Sequence, residues 1–133
     1  MTESEKVGSG GDLERVLADL RALSGDIASC AVFAGEGALL SSSHAPGVER
    51  ERVAAMLAAV ANLAERAARE SGKGHASQVR VDTGGGHLLL VRLAGGGFMA
   101  ATTAAEARVG LVLYDMRNAR GAVEKAVQGG DQG

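Results

Sequence analysis

Gly84-Gly85-Gly86 and Gly95-Gly96-Gly97 divide the second half of the chain into three short apolar runs, and few folds tolerate that arrangement. The runs are Val79 and Val81, then Leu88 to Leu93, then Phe98 to Thr103. Glycine accepts positive φ without a side-chain clash, so each cluster predicts a tight reversal between neighbouring antiparallel strands. Thr103-x-x-Glu106 follows at capping-box spacing, which predicts a helix opening there. Its apolar stripe is Val109, Val112, Leu113, Met116, Val123 and Val127, interrupted by Gly121.

The first half follows a matching logic. Asp12 suits an N-cap, and Leu13, Val16, Leu17 and Leu20 recur at i, i+3, i+4 and i+7, predicting a helix closed by Ser24-Gly25. Ile27 to Phe33 reads as a buried strand, Gly35-Glu36-Gly37 as a hairpin turn and Ala38 to Ser42 as the return strand. Pro46, Glu49 and Glu51 suit the opening of a second helix that runs to about Ser71 and stops at Gly72-Lys73-Gly74. At ~100° per residue, Val53, Met56, Leu57, Val60, Leu63, Ala64 and Ala67 form one side, expected to lie on the sheet. Ala55, Ala58 and Ala59 form the other, edged by Asn62, Arg66 and Arg69. That small-residue face suits the close approach of another helix, or simply reflects an alanine-rich composition.

The order α-β-β-α-β-β-β-α predicts an α+β domain of three layers, α/β/α, with a five-stranded antiparallel sheet covered on both faces. The domain is expected over 12–127, with disordered tails at 1–11 and 128–133. At 133 residues one core is feasible, and with only 2% aromatic residues it must be built from Leu, Val and Ala. A net charge of −2 with interspersed signs argues against a general nucleic-acid binder. The single cysteine, Cys30, rules out an intramolecular disulfide, and its apolar setting predicts a small buried hydrophobe. No run is long and apolar enough for membrane insertion, and the N-terminus lacks a signal-peptide pattern, so the expected location is cytoplasmic.

No residue is assigned a catalytic, cofactor-binding or metal-binding role. Ser71-Gly72-Lys73-Gly74 lacks the spacing of a phosphate-binding loop and follows a helix instead of preceding one. His44, His75 and His87 have no i, i+4 spacing and read as solvated or loop-packing side chains. Ser41-Ser42-Ser43-His44 lacks a nucleophile elbow and reads as a polar loop before the second helix. Arg50, Arg52, Arg66 and Arg69 are either a solvated face or the rim of a protein-contact patch.

Several local phrases resemble the roadblock/light-chain-7 family. They are the helix Leu13–Leu23 running into Ala31-Val32-Phe33-Ala34-Gly35-Glu36-Gly37-Ala38-Leu39-Leu40, then Gly86-His87-Leu88-Leu89-Leu90-Val91 with Gly97-Phe98-Met99-Ala100, and Thr103 through Gly110-Leu111-Val112. The resemblance, which includes bacterial MglB-like regulators, implies a non-catalytic homodimer that binds a small Ras-like GTPase, as a GTPase activator or a signalling adaptor. It further implies sheets paired through the third strand, here Gln78, Val79, Arg80 and Val81, with the second helices side by side. Ala55, Ala59, Asn62, Arg66 and Arg69 are then the partner-binding candidates. A second resemblance, of Val81-Asp82-Thr83-Gly84-Gly85-Gly86-His87-Leu88 to small haem-binding, GlcG-like domains, implies a ligand pocket at His87. A dimerisation scaffold with no GTPase partner is the third reading.

Overall fold

The computed structural model describes the backbone of residues 2–44 and 50–132, and the side chains of 12–43 and 52–129. Eight elements follow in the expected order: α1 (Thr2–Leu23), β1 (Ile27–Phe33), β2 (Leu39–His44), α2 (Arg50–Glu70), β3 (Gln78–Thr83), β4 (Gly86–Arg92), β5 (Phe98–Ala104) and α3 (Val109–Gln132). The five strands form one antiparallel sheet in the order β2-β1-β5-β4-β3. Each triple glycine therefore joins two hydrogen-bonded neighbours. The β1–β5 pairing, with Ala31 opposite Ala100 and Val32 opposite Met99, welds the first hairpin to the meander. β2 and β3 are left as the two edges.

Successive strand side chains point to opposite faces, and the two faces carry separate cores. Cys30, Val32, Leu89, Val91, Met99 and Ala101 meet α1 and α3 through Leu13, Leu17, Leu20, Val112, Leu113, Met116 and Val123. On the opposite face Ala31, Phe33, Leu90, Phe98 and Ala100 meet α2 through Ala54, Leu57 and Ala61. A strand covered on both sides needs apolar residues at consecutive positions, which is why Cys30 to Phe33 are all buried.

α2 departs from expectation in its rotation. Of the bulky side predicted to face the sheet, Leu57 is buried, but Met56 is 56% and Leu63 66% exposed. Ala54 and Ala61 take the inner stripe instead. Two constraints outweigh the apolar periodicity. The facing sheet already carries Phe33, Phe98 and Leu90, which leave room for alanine. Glu65, on the same inner stripe, is tied to the sheet: Oε1 accepts from the Ala76 N–H at 3.0 Å and from Arg92 Nη1 at 3.4 Å, and Oε2 meets His75 Nδ1. A Schellman closure ends the helix, with the Lys73 N–H on the Ala68 carbonyl (2.9 Å), the Gly72 N–H on that of Arg69 (3.0 Å), and Gly72 at φ +71°.

The start of α3 also differs. Thr103 and Glu106 form no capping box, since Thr103 is buried within β5, its hydroxyl donating to the Ala104 carbonyl, and the helix begins at Val109. The cap comes from a distant residue. Asp26, just before β1, accepts the Arg108 N–H at 3.0 Å and Arg108 Nε at 3.2 Å. A carboxylate there answers both the unpaired amide and the positive end of the helix. Those bonds, the backbone one foremost, hold the Asp26 carboxyl below its ordinary value.

Ser41 and Ser42 lie in the expected return strand, and β2 runs on through Ser43 to His44, paired with Val32, Ala31 and Cys30 at the three serines, so the polar-loop reading of residues 41–44 gives way to strand. Serine has little preference for strand, and the pairing with β1 overrides it. The helices are longer than the apolar stripes predict: α1 is helical from Thr2 and α3 continues to Gln132, across segments expected to be irregular. Once packing has nucleated a helix, each further residue adds one hydrogen bond. The roles expected of Pro46 and Glu49 lie outside the described residues.

Candidate partner-binding surface

α2 sits on its sheet face with one flank over the β1–β2 hairpin: a Cβ at Gly37 would lie 3.5 Å from Asn62 Nδ2 and 4.0 Å from Ala58 Cβ. The opposite flank therefore lies toward β3. At ~100° per residue the helix surface sorts into three strips. Val53 and Val60, both half-buried, are on the β3 flank; Met56 and Leu63 point outward; Ala55, Ala59, Asn62 and Arg66 turn toward the hairpin flank, with Arg69 beyond them. All five partner-binding candidates are at least partly exposed. Arg66 pairs loosely with Glu70 at 3.9 Å, in a setting where both side chains are about three-quarters exposed, so the pair holds neither in place.

The edge candidates are also accessible. β3 pairs only with β4 among the described strands, which leaves its outer row of backbone N–H and C=O groups available for another strand. Val79 and Val81 are half-buried and alternate with exposed Gln78 and Arg80. Arg80 is held by Asp82 at 2.9 Å, and Gln78 Oε1 accepts from Arg117 Nη1 at 3.1 Å, so the polar side of the strand is already committed within its own chain.

Residues that the sequence reading passed over include Met56 and Leu63 as surface residues, and Glu65 as the tether that fixes α2. A signal for Glu65 did exist: it is the single acid among the inner-stripe positions Ala54, Leu57, Ala61 and Ala68. Its carboxyl is held below the ordinary glutamate value, chiefly by the hydrogen bond from His75 and also by the Ala76 N–H and Arg92. A lowered folded-state value means that the unfolded chain takes up the proton more readily. The stabilisation is thus present above the ordinary glutamate value of about 4.3 and is lost as pH falls through the folded one. Acid unfolding monitored by circular dichroism should show this dependence below about pH 4.3, and Glu65→Gln should flatten it; an unaltered acid limb would dismiss the tether.

Other candidate chemistry resolves into structural roles. His87 is cross-strand from Asp82; Nδ1 lies 2.7 Å from Asp82 Oδ1 and Nε2 3.2 Å from the Ala105 carbonyl. Both ring nitrogens thus face oxygens of the chain's own turn and strand, a structural setting for His87. The Asp82 carboxyl is held below its usual range by Arg80 first and by His87 second. His75 packs on Glu65, and among the described residues no group of three His, Cys, Asp or Glu side chains could hold a metal ion. Cys30 is buried, its thiol donates to the Leu17 carbonyl at 3.5 Å, and burial pushes its pKa up to about 12. A thiol so protonated is a poor nucleophile. Among the described residues no helix is long and apolar enough to cross a membrane.

Comparison with known proteins follows the same lines. The family model described as Roadblock/LC7 domain matches residues 13–103. No curated protein matches the sequence. Among solved structures, MglB of Myxococcus xanthus superposes with a TM-score of 0.79 at 13% identity, covering 90% of each chain. A Roadblock/LC7 domain from Streptomyces avermitilis gives 0.76 at 18% identity, covering 86% of this chain and 97% of that one. The gliding protein MglB of Thermus thermophilus gives 0.76 at 14%, covering 90% and 91%. At such identities the likeness establishes the fold alone.

Proposed function

The chain belongs to the Roadblock/LC7 family, and from that premise we propose that it is a non-catalytic, homodimeric regulator that binds a small Ras-like GTPase in the cytoplasm. The functional unit is 12–127. The observation that carries the reading is the apolar strip of α2, formed by uncovered Met56 and Leu63 on its outer side and half-buried Val53 and Val60 on the flank nearest an unpaired sheet edge. Two copies joined antiparallel through Gln78, Val79, Arg80 and Val81 would make one continuous sheet, bring the two strips together and bury both. A protein that left such a strip open would carry a standing aggregation hazard.

Pairing of that kind leaves the hairpin-flank residues Ala55, Ala59, Asn62, Arg66 and Arg69 exposed on either side of the helix pair. Small side chains let a partner approach the backbone closely, and arginines offer forked donors to its carboxylates. This is the surface assigned to the GTPase. The chain regulates by contact.

Double reversal, Arg66→Glu with Arg69→Glu, should weaken GTPase binding by about a hundredfold, from two charge-assisted contacts of ~1.5 kcal/mol each. Thermal stability should hardly change, because both side chains are exposed. The partner is first captured with the tagged chain from lysate of the source organism, comparing GTP-analogue and GDP conditions. Retention of a Ras-like protein, stronger with the GTP analogue, supports the regulator reading; self-association alone supports the bare scaffold. Affinity unchanged in the double variant removes this surface.

A further inference from the structure

One end of the sheet, where the β1–β2 and β4–β5 turns meet the far part of α3, holds a recess of about 520 Å³ that the proposed function does not use. Such a volume is within the range of about 300–1,000 Å³ typical of binding pockets. Phe33, Leu40, Leu93 and Val127 supply its apolar lining. Leu93, buried in the core under α1 and α3, lies at the base, whereas Leu40 is 45% exposed on a mostly polar strand. Among the described residues the charged lining side chains are Glu36 and Glu124, with no lysine or arginine. Glu124 is a positioned group: its Oε2 accepts the Ala94 N–H at 2.6 Å, which fixes the carboxylate between α3 and the β4–β5 turn.

We infer that this recess binds a protein segment presenting a bulky aliphatic or aromatic side chain next to a lysine or arginine. The apolar floor takes the first side chain out of water, and the two carboxylates at the rim answer the cation. An acidic segment is refused by like charge, which gives the site selectivity as well as affinity. Glycines on both flanking turns keep side chains out of the way of an approaching backbone. The inference goes beyond the α2 surface and stands without a GTPase.

The test titrates the isotope-labelled full chain with acetyl-leucyl-lysinamide and, separately, acetyl-leucyl-glutamamide, followed by amide chemical shifts. The lysine probe should saturate near about 1 mM, as expected for so small a ligand, with shifts centred on Gly35, Leu93 and Gly95. The glutamate probe should produce none of these. Glu36→Gln with Glu124→Gln should weaken the lysine probe about tenfold, since glutamine at 124 can still accept the Ala94 N–H while the charge is gone. Leu40→Ser, at an exposed position, should weaken both the shifts and the saturation. Equal shifts from the two probes, shifts centred elsewhere, or unaltered binding in both variants overturns the inference.

Discussion

Leu63→Glu is expected to convert a two-chain particle into a monomer of 13.4 kDa in light scattering at micromolar concentration. Leu63 is 66% exposed in the single chain, so the substitution removes little from the fold itself. In the dimer a two-fold axis makes each change count twice. Withdrawing a leucine from a buried interface forfeits roughly 1.5–3 kcal/mol per copy, or ~3–6 kcal/mol in all, a loss of about a hundredfold to ten-thousandfold in dimerisation. Two carboxylates brought together on adjoining helices add repulsion. Met56→Glu should act in the same sense. Thermal unfolding of dilute protein, where monomers dominate, should be nearly unaltered in both. A stable two-chain mass in both variants would falsify the assignment of this strip as the dimer contact, and a parent chain that is itself monomeric at high concentration would remove the dimer.

The same strip shows where sequence reading succeeds and where it stops. Strands β3, β4 and β5 are legible because glycine clusters bracket runs of Val, Leu and Phe, and α1 and α3 because their stripes have a single sheet face to satisfy. The rotation of α2 is not. Its hydrophobic periodicity is the sum of two demands, an inner stripe of Ala54, Leu57 and Ala61 against a crowded sheet and an outer strip of Met56 and Leu63 left uncovered. One chain's pattern cannot say which apolar residue serves its own core. The Asp26–Arg108 bond, between residues far apart in sequence, explains why α3 begins later than its local motif predicts. A capping pattern exists at Thr103 and Glu106, but the sheet claims Thr103 first. The candidate surface residues are visible because a polar and small face can be found without knowing the rotation to better than a third of a turn. Edge status is not visible locally, since β3 is an edge only because β5 pairs with β1 instead.

Gly86→Ala is expected to destabilise the fold by about 3–5 kcal/mol, combining a left-handed backbone with overpacking between strands. Gly86 has φ +153°, and a Cβ there would lie 1.9 Å from the Thr103 carbonyl oxygen of β5. That oxygen is main chain and cannot swing aside. To admit a methyl group, β4 must move away from β5 where Gly86 faces Ala104, carrying with it the β3–β4 hairpin and the edge needed for dimerisation. With domain stabilities of about 5–15 kcal/mol, such a loss leaves much of the chain unfolded near physiological temperature. Gly84→Ala is the control, since a Cβ there meets nothing within 4 Å and its φ is not left-handed; the shift expected is within about 0.5 kcal/mol. Gly97, the last glycine of the other cluster, faces the same constraint, a Cβ there lying 2.0 Å from the Phe33 carbonyl of β1, while Gly95 is open like Gly84. In each triplet the third glycine is the one the sheet requires, because it is the residue at which the chain rejoins a neighbouring strand. Denaturant midpoints decide the matter: equal values for Gly86→Ala and Gly84→Ala would mean that the strands have slack, and the triplets would then be flexible turns with no steric role in holding β3 at the edge.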